Sequence, residues 1–95
     1  MYIIRRPPAH LKSFEMPTQE DLINLKRNSL VKVIFQDSRY LQDPAERMWC
    51  KIDKIDDDGW VDAKLDNKPW TVSCLRLKDP VKFHVTDIIQ IWEDR

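Results

Sequence analysis

Gly59 is the only glycine in this 95-residue chain, and it stands between two runs in which apolar and polar residues alternate. Before it, Met48, Cys50 and Ile52 are separated by Trp49 and Lys51; after it, Val61, Ala63 and Leu65 are separated by Asp62 and Lys64. A period of two marks a half-buried strand, because successive side chains point to opposite faces. Asp58-Gly59 has the chemistry of a two-residue type I′ turn, where φ is positive and glycine is unstrained. The spacing predicts strands over 47–55 and 60–65. A further strand from Trp70 to Cys74, with Trp70, Val72 and Cys74 inward and Asn67-Lys68 as the turn before it, completes a predicted three-stranded meander over about residues 47–75.

The faces test the register. With Asn67-Lys68 as a turn, Leu65 faces Trp70, Ala63 faces Val72 and Val61 faces Cys74, so apolar side chains meet throughout. With Asp58-Gly59 as a turn, Ile52 faces Leu65, Lys51 meets Asp66 and Asp53 meets Lys64. A slip of two residues would set Lys51 opposite Lys64 and Asp53 opposite Asp62. Like charges directly opposite destabilise a sheet, so the first register is favoured.

Strand patterning extends on both sides. Val31, Val33 and Phe35 recur at every second position over 30–36 with Lys32 and Gln36 on the other face, residues 37–46 read as a polar loop, and Val81, Phe83 and Val85 alternate again. Thr86-Asp87 reads as the cap of a single helical turn before a last short element containing Ile89, Ile91 and Trp92. Near the start, Tyr2, Ile3 and Ile4 can form a short strand that Pro7 and Pro8 stop, since proline lacks the ladder N–H. Thr18 is a good N-cap with Asp21 three residues on, predicting a helix to Arg27 that Asn28 closes in the left-handed conformation. The expected architecture is a single, mainly β (α+β) domain. Residues 1–17 form an arm, 18–28 a helix packed on the barrel, and 29–95 a small, highly curved SH3-like barrel or sheet of five to six strands.

Charge and cysteine content narrow the function classes. Sixteen basic residues balance sixteen acidic ones, which argues against a general nucleic-acid binder, although the charge is polarised along the chain. Residues 53–66 hold six Asp against two Lys, while Arg5, Arg6 and Lys12 stand against Glu15 in the first fifteen. No apolar run approaches the ~20 residues of a membrane span, and Arg5, Arg6, Pro7 and Pro8 interrupt the only apolar stretch that could begin a signal peptide. Two cysteines are too few for a disulfide scaffold, so a cytoplasmic protein with reduced thiols is expected.

The residues give little support to catalysis. His10 and His84 lie far apart with no acid or cysteine at ligand spacing, and Cys50 and Cys74 have inward parity, where thiols are inert. The run Asp56-Asp57-Asp58-Gly59 lacks the glycine-sixth, glutamate-twelfth spacing of a calcium loop and reads as a hairpin turn. No metal, cofactor or enzymatic activity is expected; carboxylates of the acidic hairpin acting as acid and base are the weakest alternative.

The aromatic residues are more informative. Trp49 and Trp60 have outward parity beside Lys51, Lys64 and Asp62, and an exposed tryptophan on a sheet face is an anchor for a partner. Alternatively the arm, the helix or the tail folds over that face. Arg39 and Tyr40 in the long loop form a second candidate contact. The leading expectation is a module that docks on another protein. The alternative is a small barrel binding a nucleotide or single-stranded nucleic acid, with Trp49, Trp60 and Tyr40 stacking on bases and Arg39, Arg47, Lys51 and Lys64 on phosphates.

One resemblance adds to this reading. Glu46 to Ile52, then Asp58-Gly59, Leu65-Asp66-Asn67-Lys68-Pro69, Leu77-Lys78, Asp79 to Phe83, and Asp87-Ile88 with Trp92 resemble the YegJ-type family of bacterial domains over about residues 30–92. The family tends to place glycine in an L-K-x-G-D segment, where this chain has Lys78-Asp79-Pro80. The resemblance implies a compact β-rich domain of bacteria and their mobile elements, with some relatives among immunity-like proteins of toxin systems, and it implies no activity.

Overall fold

The computed structural model describes residues 1–6 and 16–92. Pro7, Pro8, His10 and the rest of the arm to Glu15, with the last three residues, lie outside the described residues. Among the described residues the chain forms strands β1 (Tyr2–Arg5), β2 (Leu30–Asp37), β3 (Glu46–Ile55), β4 (Trp60–Leu65), β5 (Pro80–His84) and β6 (Ile88–Ile91), one short helix α1 (Gln19–Ile23) and a 3-10 turn, Val85–Asp87. All strands are antiparallel, in the order β1-β2-β3-β4-β5, and β6 returns to β2. β2 is the hub. Its first half pairs with β6, as in Val31↔Ile91, and its second half with β1, as in Ile4↔Phe35. A meander whose last strand follows a 3-10 turn back to the first is the SH3-like order, here with β1 added and the sheet curled into a half-barrel. No helix among the described residues is long and apolar enough to cross a membrane.

The core lies where the alternation places it. Val31, Val33 and Phe35, then Met48, Cys50 and Ile52, then Val61, Ala63 and Leu65, with Val81 and Phe83, form one buried cluster closed by Ile88, Val72 and Leu75. A core this small rests on complete burial of each of these side chains, at ~25 cal/mol per Å² of apolar surface removed from water.

The meander differs from expectation in its third strand. Residues 70–74 form no strand; β4 pairs instead with β5, setting Val61 against Phe83 and Ala63 against Val81. Trp70, expected inward, is 91% exposed, whereas Val72 is buried and Cys74 packs partly against the core. The cause is Glu46, whose carboxylate takes the N–H groups of Trp70, Thr71 and Val72 and so removes three successive donors from any ladder.

The β3–β4 register also differs. Cys50 faces Leu65, Ile52 faces Ala63 and Lys51 faces Lys64, the arrangement that charge pairing disfavours. The turn explains it. The connection is three residues, Asp57 to Gly59, with Gly59 at φ 90° and the Asp56 carboxylate accepting N–H bonds from Asp58 (2.9 Å) and Trp60 (2.9 Å). A bulge between Ile52 and Lys54 then moves Lys54 opposite Asp62, so that Asp53 and Asp62 never meet.

The helix is shorter than its pattern. Thr18 and Asp21 form the expected reciprocal capping box, but α1 ends at Ile23. Asn28 is left-handed at φ 74°, and its N–H already bonds to Ile52 O while Ile52 N–H bonds to Ser29 O. Pairing with β3 thus claims these residues before the helix reaches them.

The two open margins of the half-barrel, β1 and β5, are joined by a side chain. Leu65 N–H bonds to Asp79 O, so by alternation the N–H groups of even residues in β5 point away from β4. Pro80 has none, Lys82 N–H bonds to the Tyr2 hydroxyl (3.0 Å), and His84 N–H bonds to the Asp87 carboxylate (2.9 Å). Tyr2→Phe, which keeps the ring against Phe35, is expected to lower stability by about 1 kcal/mol. Amide exchange should locate the loss, with Lys82 N–H exchanging faster than its neighbours in β5.

Candidate functional site

Three polar side chains at one end of the barrel are devoted to shaping two loops. Gln36 is buried; its amide donates to Leu41 O (3.1 Å) and Asp43 O (3.0 Å), and its oxygen accepts from Arg5 Nε (2.6 Å). Asp37 is buried beside it and accepts from Arg39 N (2.9 Å), Arg39 Nε (3.2 Å) and Arg39 Nη2 (3.1 Å). Those hydrogen bonds, with the guanidinium charge, hold the Asp37 carboxyl down at about 2 and raise Arg39 above its ordinary value. The guanidinium lies over the Tyr40 ring, 5.3 Å from its centroid. Together these contacts fold loop 38–45 onto the end of β2.

Glu46 does the same for the connection 66–79. Its Oε2 accepts from Trp70 N (2.7 Å); its Oε1 accepts from Thr71 N (2.8 Å), Val72 N (3.2 Å) and Thr71 Oγ1 (3.2 Å). Burial pushes this carboxyl up, but the N–H donors of Thr71, Trp70 and Val72 and the Thr71 hydroxyl outweigh it and hold it below its ordinary value. Thr71 Oγ1 also reaches Pro44 O (3.3 Å), so the two loops are tied together. Among the side chains they present to solvent are three large apolar ones, Tyr40, Leu41 and Trp70, beside the exposed polar residues Arg39, Gln42, Asp43 and Lys68.

A second aromatic group lies on the outer face of the sheet. Lys32 is the cross-strand partner of Trp49, with its ammonium 4.7 Å from the centre of the Trp49 ring. Trp92, in the tail, meets Trp49 edge-on at 5.6 Å, which leaves Trp49 half-buried. Arg47 and Lys51 flank Trp49 along β3, and Lys51 faces Lys64. Farther along, Asp62 lies between Lys54 (3.9 Å) and Lys82 (4.0 Å). Trp60 is exposed beside His84, 5.1 Å away edge-on, at a cleft of about 410 Å³ between the margins, lined also by Ile4, Arg6 and Lys82.

The sequence-derived candidates therefore fall in three places. Arg47, Trp49, Lys51 and Lys64 share one face; Trp60 and Asp62 stand nearer the hairpin turn; Arg39 and Tyr40 belong to the loop end. Of the two tryptophans, the tail half-covers Trp49 while Trp60 stays open. Sequence reasoning missed Trp70, Leu41, Lys32 and Trp92. Lys32 and Trp92 were within reach, since both carry the polar-face parity of a strand end. Trp70 was not, because its exposure depends on a carboxylate 24 residues away.

The remaining chemistry is sparse. Burial, with a smaller push from Asp66, raises the Cys50 thiol to about 12, and both cysteines are free. Among the described residues no group of three or more His, Cys, Asp and Glu is placed to hold a metal ion. Compared with known protein families, with characterised proteins and with solved structures, the chain matches none.

Proposed function

We propose that this chain is a non-enzymatic protein-interaction module that docks on its partner through Tyr40, Leu41 and Trp70. The observation that carries the reading is Glu46, a partly buried carboxylate committed to the backbone of residues 70–72 so that Trp70 stands 91% exposed. Desolvating polar groups is costly unless every bond is made, and here three such groups hold two surface loops in fixed shapes. A fixed loop loses less entropy on binding, and tryptophan is among the residues most enriched at the centres of interfaces. Burial, which raises the Cys50 thiol to about 12, makes it a poor nucleophile. The partner-directed use that fits this reading is an inhibitor- or immunity-type factor, a role found among some proteins of the YegJ-type family that the chain resembles, and two free cysteines fit a reducing cytoplasm.

A photo-cross-linking amino acid placed at position 73, exposed in the same connection as Trp70, tests this in extract of the source cells, with the same group at exposed Ile23 as control. One dominant protein adduct from position 73, and none from position 23, is expected. With that partner in hand, Trp70→Ala should weaken binding by roughly thirty-fold, the effect of a 2 kcal/mol hot spot, at unchanged melting temperature. Equal binding by Trp70→Ala defeats the proposal.

A further inference from the structure

The docking loops leave the basic face around Trp49 unused. Lys51 and Lys64 are cross-strand partners, although like charges in direct opposition weaken a sheet. The bulge that separates Asp53 from Asp62 and gives Lys54 an acidic neighbour does nothing for this pair. Among the described residues neither ammonium forms an ion pair. Lys32 lies across from Trp49 on β2 and Arg47 beside it along β3, while Asp66, whose N–H bonds to Trp49 O, is the acidic neighbour across from Trp49 on the β4 side. Lys32, Arg47 and Lys51 thus neighbour Trp49, with Lys64 across from Lys51, and of the indole pair Trp92 keeps 57% of its surface exposed.

We infer that this face binds single-stranded nucleic acid. Charge complementarity calls for a polyanion, with phosphates lying along Lys32, Arg47, Lys51 and Lys64. The indole pair selects among polyanions, because a flat π surface gains from stacking on a base and gains nothing from a peptide carboxylate. Binding at this face is independent of the loop-end docking proposed above. It is local and modest, since four phosphate contacts act in a chain whose net charge is zero.

The probe is a fluorescein-labelled thymidine 12-mer followed by anisotropy. With four phosphates neutralised on a single strand, affinity should fall roughly fifty-fold between 50 and 200 mM salt. Lys51→Glu gives the decisive contrast. It converts the like-charge pair into an opposite-charge pair with Lys64, so the melting temperature should rise by a few degrees. Oligonucleotide affinity at low salt should nevertheless fall at least ten-fold, with a shallower salt slope. Trp92→Ala should weaken binding by roughly five- to hundred-fold with the slope unchanged, and Tyr40→Ala/Trp70→Ala should leave it intact. Any of four results overturns the inference: no binding at low salt, an affinity indifferent to Lys51→Glu, tighter binding of a poly-glutamate peptide, or equal binding of inorganic polyphosphate with no effect of Trp92→Ala.

Discussion

Replacing Glu46 with alanine is expected to destabilise the domain by about 3 kcal/mol and to lower its thermal midpoint by roughly 12–24 °C. The substitution strips the acceptor from three backbone N–H groups and one hydroxyl at once. Val72, fully buried in the core, is the only one of the three with an apolar reason to stay in place, so the loss should spread from Trp70 and Thr71 inward. Scanning calorimetry gives the magnitude, and tryptophan emission reports the local change. Glu46→Gln keeps the shape but turns an amide NH2 toward the same donors, and it should recover only part of the loss. The carboxylate also sets an acid limit. Its value is held below the ordinary 4.5, so ionisation contributes stability that is complete above that value and fades as pH falls through the folded-state value. Asp37, lowered from 3.8 to about 2 by Arg39, has the same sign, with its contribution lost between about pH 4 and pH 2. Unfolding by acid should therefore start at the loop end, ahead of the β3–β4–β5 sheet, as amide exchange across pH 5 to 2 would reveal.

Gly59→Ala is the second large effect, about 2–3 kcal/mol of lost stability. Two causes act together. At φ 90° any side chain is strained, and an added Cβ would stand 2.8 Å from His84 Nε2 and 3.2 Å from Val85 Cγ2. His84 cannot yield freely, because its Nε2 bonds to Asp58 O (2.8 Å) while its Nδ1 meets Thr86. A double-mutant cycle separates the causes. In a His84→Ala background the closest contact disappears, leaving the backbone strain and the 3.2 Å approach to Val85 Cγ2, so the cost of Gly59→Ala should fall by about half. Equal cost in both backgrounds would mean that the His84 contact contributes nothing.

These two residues also mark how far the sequence could be read. The importance of Gly59 was legible, because a lone glycine between two alternating runs can serve little else than the turn. The inward sets of β3, β4 and β5 were legible for the same reason, since a period of two fixes faces whatever the partner strand. In β2 the inward Val31, Val33 and Phe35 were legible too, but Ile34 and Gln36 on the other face, and Asp37 at the strand end, are also buried. Register was not, since slips of two residues preserve every face. The deciding contacts were the Asp56 carboxylate bonds inside the turn and the bulge at Asp53, neither of which leaves a pattern in composition. Residues 70–74 misled for a different reason. Trp70, Val72 and Cys74 alternate as a strand would, and no local signal reveals that Glu46 captures their backbone. Helix α1 kept its predicted cap but lost its second half to pairing between Ser29 and Ile52. Of the candidate site, the patch of Arg47, Trp49, Lys51 and Lys64 followed from parity. The loop end did not, because Gln36, Asp37 and Glu46 act across distances in sequence that only the fold makes short.

The occupied N–H groups along β5 have a consequence for how such a domain can change over time. With Pro80 lacking a donor and the donors of Lys82 and His84 already taken, this margin offers a neighbouring chain no free backbone N–H, only carbonyls. Copies crowded together can therefore form only half of the usual ladder at β5, which weakens edge-to-edge growth there. Attachment at this margin then depends more on side chains. Exposed positions such as Tyr40, Leu41 and Trp70 can then be exchanged to suit a new partner while the ladder that holds the fold stays untouched.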